Sequence, residues 1–334
     1  MSLKLRPMRT VITMIVCLLF IGCKDDARNK HIIPPTEISI PVARLEKDLF
    51  ESENEDEVHI FLDEHPDLAN IFLDGHQYPS TEVLANKIAT LIKNPSIDTL
   101  YRESLEAYKD FESVQSDLES AFGRLKTLFP STKTPRVETI VTGLYNDLFI
   151  SDSLIIIGLD FFIGENATFK PQDVPQYILK RYNKEHLAGV IVKFMAGQHV
   201  DRGRESSLIS EMIDFGKTYY LASRLLPNTP DSILLGYTPE EMTLIYDNEA
   251  IIWATLLENE ALYETSQMTK RRFLGERPNV YEIDQKCPGR VGAWVGWRIV
   301  ESFMEKNDVT IKELISATNN DQLFMQSGYK PQSR

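Results

Sequence analysis

Six histidines are the first residues that could carry catalysis: His31, His59, His65, His76, His186 and His199. A helical zinc site needs two imidazoles at i and i+4 with a glutamate between them, because four residues return both rings to one face. No pair here has that spacing. His59 and His65 lie six residues apart, about 240° around a helix, and point away from each other. His186 and His199 would be about 20 Å apart along a single helix axis. Each histidine reads as a surface or hydrogen-bonded side chain rather than a ligand. There is also no Gly-x-Ser-x-Gly elbow, phosphate loop, dinucleotide fingerprint or paired-cysteine metal motif. Asp and Glu number 49, but abundance does not place two carboxylates across a cleft. No metal and no cofactor is expected.

One carboxylate stands apart. Thr238-Pro239-Glu240-Glu241 is a capping box with proline at the first helical position. In the helix it starts, Met242, Ile245, Ile252, Trp253 and Leu256 form an apolar stripe, and Glu249 sits on that stripe. A buried charge needs a partner, and Arg290 and Arg298 are the candidates for an ion pair. A boundary residue at the stripe's edge and a relic of an ancestral active site are the other two readings of Glu249. Between the arginines, Gly292 and Gly296 fall one helical turn apart. Each costs a helix about 1 kcal/mol relative to alanine. They make sense where another backbone comes close, so this helix is expected to pack centrally. Cys287 reads as a small packing residue, with only Lys286 and Arg290 near it in sequence to activate a thiol. Trp253, Trp294 and Trp297 read as core, or alternatively as the wall of an aromatic pocket.

The other chemistry-bearing residue is Cys23. Residues 11–23 are an apolar run preceded by Lys4, Arg6 and Arg9 and closed by Gly22-Cys23. That is the pattern of a secretory signal peptide with a lipobox ending, although Phe20 stands where leucine is usual. The run is shorter than the roughly 20 residues of a membrane span. Cys23 is the expected lipidation site, and an acylated cysteine would fix the chain to a membrane. An ordinary signal peptide with an incidental cysteine, or a short anchor helix, are the alternatives. Lys24-Asp25-Asp26 fits either a surface-export signal or the start of a solvated linker.

The elements that must hold these residues are mostly helices. Hydrophobic residues make up 43% of the chain, and its formal charge is −13. The first value argues against disorder; the second excludes DNA and RNA as partners. Residues 1–22 read as the leader and 23–41 as a linker stiffened by Pro34, Pro35 and Pro41. Residues 42–334 read as a single helix-rich domain. A long apolar stripe from Leu100 to Leu128 predicts one continuous helix. Residues 137–142 and 154–157 predict strands, with a turn at Asn146-Asp147. Residues 187–195 predict a buried helix, and Ser206 or Ser207 caps the next one. A second capping box lies at Thr310-Ile311-Lys312-Glu313. The fold class is therefore mainly α with a small β-sheet (α+β).

Several stretches together resemble the GldB-type gliding-motility lipoproteins of Bacteroidetes. They are Cys23, residues 154–162 (Leu-Ile-Ile-Ile-Gly-Leu-Asp-Phe-Phe), Gly216-Lys217, Leu235-Gly236-Tyr237-Thr238, Asn248-Glu249 with Trp253, and residues 288–300. The resemblance implies a degenerate zincin-like (gluzincin-like) peptidase fold, with its peptidase-like part at about 134–305. The metal-binding helix would then be residues 187–195, which contain neither His nor Glu. Phe215 stands before Gly216, where an acidic residue is common. The resemblance thus implies a pseudopeptidase: a non-catalytic outer-membrane lipoprotein of the cell envelope. Its expected partners are the lipid membrane, through Cys23, and the envelope proteins of motility and secretion. The alternatives are a zinc-dependent metallopeptidase with non-standard ligands and a solute- or glycan-binding lipoprotein.

Overall fold

Leu154, Ile155, Ile156 and Ile157 are all buried, because both faces of their strand are covered. A computed structural model describes residues 31–331 of the chain; the leader and Cys23 lie outside the described residues. From Ile33 onward the chain forms one unit. Its sheet contains β1 (Val42–Arg44), β2 (Arg136–Ile140), β3 (Leu148–Ile150) and β4 (Leu154–Gly158) in the order β1-β2-β4-β3. β1 and β4 run parallel to β2, and β3 returns antiparallel on β4. Side chains alternate across a strand. Ile155 and Ile157 join the main core, while Leu154 and Ile156 join a smaller one on the other face. The smaller core is built by α1 (Leu45–Glu51), α2 (Glu55–Glu64) and α3 (Thr81–Ile92), through Leu49, Leu62 and Ile88.

The expected long helix is two helices, α4 (Pro95–Ala107) and α5 (Glu112–Leu128). The break falls at Tyr108. This residue is fully buried, its hydroxyl donates to the Phe162 carbonyl at 2.9 Å, and its own carbonyl accepts from Arg44 at 3.1 Å. Those bonds turn the backbone out of the helix while the apolar stripe runs on.

The expected linker is also corrected. Residues 33–41 do not stand free but lie along α5. Ile33 and Ile40 are buried. Thr36 N donates to Gly123 O at 3.1 Å, Ile40 N donates to Glu119 at 2.9 Å, and Arg124 donates to Ile33 O at 3.1 Å. The prolines that suggested a spacer keep this strap extended, and α5 takes up its polar backbone groups.

The remaining helices form the larger layer: α6 (Gln176–Leu179), α7 (Lys184–Gln198), α8 (Leu208–Leu225), α9 (Asp231–Leu235), α10 (Pro239–Asp247), α11 (Glu249–Glu258), α12 (Gln267–Leu274), α13 (Val291–Lys306), α14 (Ile311–Ser316) and α15 (Asn320–Ser327). Asn183 caps α7 and Ser207 caps α8; both expected capping boxes form, at α10 and α14. α8 and α13 cross at the centre of the layer. A Cβ on Gly216 would lie 2.2 Å from the Gly296 carbonyl oxygen, so only glycine permits the approach. Among the described residues no helix is long and apolar enough to cross a membrane.

Candidate functional site

A cleft of about 710 Å³ is enclosed by α7 with the loop after it (Val200, Arg202), α8, the end of α12 with the loop after it (Leu274, Glu276) and the turn that leads into α13. This is within the usual size range of small-molecule and peptide pockets, about 300–1,000 Å³. α7 presents Val190, Lys193, Phe194 and Gly197 to it, while Leu187, Ala188, Ile191, Val192 and Met195 of the same helix are buried. α8 presents Glu211, Asp214, Phe215, Thr218 and Tyr219, and the turn presents Arg290. Phe194 and Phe215 are 48% and 43% exposed, which leaves two phenyl rings at the rim.

The floor is charged. Lys193 Nζ donates to the Leu234 carbonyl at 3.2 Å and stands 5.6 Å from the centre of the Tyr219 ring. Arg290 donates to the Tyr219 hydroxyl at 3.2 Å and to the Leu235 carbonyl, and its Nε lies 3.0 Å from Glu276. Behind it, Arg181 reaches the same carboxylate at 2.8 Å and donates to Gly236 O at 3.1 Å. Tyr237 donates to Gly289 O at 2.6 Å and so ties the two loops together. Arg290 has a φ of 61°, a left-handed conformation that costs a non-glycine residue about 1 kcal/mol or more. Holding its guanidinium in this network requires that turn.

Two arginines therefore share one carboxylate, with the Lys193 ammonium as a third cation nearby. Burial lowers the Lys193 ammonium below its usual value, with Arg290 and Arg181 adding to the effect. Burial raises the Tyr219 phenol, but Lys193, Arg290 and Arg181 outweigh it and the net shift is downward. Glu276 is raised by burial and lowered further by Arg290 and Arg181, leaving it below the ordinary range. The other acids of the cleft have lysines of their own: Glu211 with Lys270 at 2.6 Å, and Asp214 with Lys217 at 3.4 Å.

The zinc implied by the peptidase resemblance does not fit these residues. Val190 and Phe194, one turn apart on α7, and Phe215 on α8 offer no donor atom, and Lys193 and Arg290 would repel a dication. Among the described residues, no three His, Cys, Asp or Glu side chains come together in a metal-binding group. His186 is buried against Asn183, its Nδ1 at 2.9 Å from the amide oxygen, and burial with neighbouring cations lowers it to about 4. His199 stacks on Phe129 at 4.4 Å. Cys287 is buried, and burial followed by Asp284 pushes its thiol up to about 12. Trp294 and Trp297 are core residues, not pocket walls.

Of the two candidate partners for Glu249, Arg298 is the one in contact. The carboxylate accepts from Arg298 Nε at 3.1 Å and from the Tyr329 hydroxyl at 2.8 Å. Arg290 is not its partner. Eight residues separate the two arginines, about 12 Å along α13, and Arg290 turns into the cleft. Glu249 also opens a helix of its own, since the stripe expected to run from Met242 to Leu256 breaks at Asn248. Its place in the first turn of α11 favours its negative charge.

Lys193, Tyr219, Arg181 and Glu276 were not foreseen. Lys193 carried a signal: it is the one charged residue in the apolar run 187–195. The others come from segments that no spacing links. The stretches that carried the family resemblance do converge here, because Arg290 bonds Leu235 and Tyr237 bonds Gly289 around the cleft.

Comparison with curated proteins and with solved structures finds no match. The family model described as gliding motility protein GldB, a lipoprotein family by its name, matches residues 26–331. That match takes in the strap, the sheet, the cleft and the Glu249 pair, and the chain belongs to the GldB family of gliding-motility proteins.

Proposed function

We propose that this protein is a non-catalytic envelope lipoprotein that serves gliding motility, and the secretion machinery linked to it, through protein–protein contacts. In this reading acylated Cys23 holds the domain at the outer membrane, and the cleft beneath Phe194 and Phe215 is a docking groove rather than an active site. One observation supports the proposal: lysine and arginine occupy the cleft floor, beside the apolar side chains of Val190, Phe194 and Phe215. A cation-lined floor destabilises a bound dication and a metal-activated water alike. The acidic surface is consistent with protein partners rather than nucleic acid.

Metal analysis tests the catalytic half. The full chain is loaded with excess zinc, desalted and measured; less than about a tenth of an equivalent is expected to remain. Stoichiometric zinc removable by a chelator, with peptide hydrolysis that the chelator stops, would overturn the reading. Cys23→Ala tests the anchor: the protein must leave the membrane fraction.

A further inference from the structure

We infer that the cleft receives the carboxyl terminus of a polypeptide ending in an apolar residue, its carboxylate on Lys193 and Tyr219 and its last side chain between Phe194 and Phe215. This rests on the non-catalytic reading and adds the chemistry of the partner.

Charge balance favours an anion. Arg290 and Arg181 share Glu276, Lys193 adds a further positive charge to the cleft, and Glu211 and Asp214 across the cleft are matched by Lys270 and Lys217. The floor has positive charge to spare in a protein whose overall charge is −13. An anion bound there would gain from a partly desolvated field.

Donor geometry points to a carboxylate. A lysine ammonium has three N–H donors, and the Leu234 carbonyl takes one from Lys193. The Tyr219 hydroxyl accepts from Arg290, so its own proton is free to be donated. Arg290 itself is committed to Tyr219, Leu235 and Glu276 and acts by its field. Lys193 and Tyr219 thus line one cleft with donors left over, enough for the two oxygens of one carboxylate.

The rim decides which carboxylate. Phe194 follows Lys193 on α7, and Phe215 lies one turn before Tyr219 on α8, so both rings adjoin the donors. In a C-terminal residue the carboxylate and the apolar side chain leave the same carbon. An internal Asp or Glu has only its own methylenes to set against the rings. The terminal form therefore matches both halves of the site.

The test uses the full chain in detergent micelles and ligand-observed NMR, with N-acetyl-phenylalanine as the probe. At about 0.3 kcal/mol per heavy atom, a dissociation constant on the order of 1 mM is expected. N-acetyl-phenylalanine amide, acetate and N-acetyl-aspartate amide are each expected to bind at least about tenfold more weakly. Lys193→Met should weaken the free acid about tenfold without lowering the melting temperature, since it removes a half-buried charge. Tyr219→Phe should weaken it severalfold. Equal binding of acid and amide, equal binding of N-acetyl-aspartate amide or acetate, no binding at all, or an undiminished Lys193→Met would each overturn the inference. The same sample with zinc is checked for cleavage of an N-acetylated phenylalanine peptide. Cleavage overturns the non-catalytic reading, whereas absence of both cleavage and acid preference overturns only the carboxylate site.

Discussion

Gly216 and Gly296 meet backbone to backbone where α8 crosses α13. A Cβ on Gly296 would stand 1.7 Å from the Met212 carbonyl oxygen. Alanine favours a helix over glycine by about 1 kcal/mol, but two buried helices cannot part for it. Gly296→Ala is expected to destabilise the fold by about 3 kcal/mol or more, read as a lower urea midpoint. Gly197→Ala is the control of opposite sign. Its nearest neighbour would be Thr218 Cγ2 at 3.6 Å, and a gain of about 0.5–1 kcal/mol is expected. A Gly296→Ala variant as stable as the parent would rule out this crossing.

That crossing was legible in the sequence, because two glycines one turn apart weaken an apolar helix unless a second backbone closes on them. So were the β4 run and both capping boxes, each a signal complete within a few residues. The misses share a cause. β1 pairs with β2 across more than ninety residues, and a three-residue strand beside a helical pattern carries no periodicity of its own. The break at Tyr108 arises from tertiary hydrogen bonds and that at Asn248 from a change of chain direction, while the hydrophobic stripe continues through both. The cleft floor draws on α7, α8 and two loops, and only folding brings its charges together.

Glu249 holds Arg298 and Tyr329 at once, and Tyr329 packs edge-on against Trp253 at 5.2 Å. Glu249→Ala leaves Arg298 with Glu301 as its remaining acid. The expected loss is about 1–3 kcal/mol, below the full cost of a stranded buried charge because Arg298 is partly exposed. Release of the Tyr329 tail should also open the C-terminal residues to carboxypeptidase. An unchanged melting temperature would show the pair to be incidental.

Two buried groups act on stability in opposite directions over one pH range. Burial raises Asp160 to about 6, against backbone N–H groups of Leu144 and Thr142 that hold it down. The folded chain then binds a proton that the unfolded chain has released, so this contribution is greatest below about pH 4 and falls away towards pH 6. His186 is lowered to about 4 by burial, then by Arg181, Lys193 and Lys180. Here the unfolded chain binds the extra proton, and stability rises from about pH 4 to 6.5. Each is worth on the order of 2–3 kcal/mol. Asp160→Asn should therefore expose a rising profile and His186→Gln a falling one, measured by urea unfolding between about pH 4 and 7. The same slope in both variants would contradict the assignment.

Cys287 should be inert in the folded protein. Its thiol is pushed up to about 12 and its side chain is buried, so the thiolate is scarce at about pH 8 and out of reach. A maleimide reagent should label it only after denaturant is added. Rapid labelling of the native chain at Cys287, located by mass spectrometry, would contradict this burial.

The strap offers a separate test of how the N-terminal residues of the domain are held. Gly123 lies under it, and a Cβ there would stand 2.3 Å from the Thr36 carbonyl oxygen. Gly123→Ala should lift the strap and break the bond from Thr36 N to Gly123 O. Ile33 and Ile40 would lose burial worth a few kcal/mol, partly offset by alanine's helix preference of about 1 kcal/mol. The expected net loss is about 1–2 kcal/mol. The sharper readout is limited proteolysis: residues 31–41 should become cleavable while the sheet and the α8–α13 layer stay protected. Gln115→Ala, which removes the donor to Ile40 O at 3.0 Å, should give the same cleavage more slowly. If both variants kept the protection of the parent, the segment would be held by contacts other than those along α5.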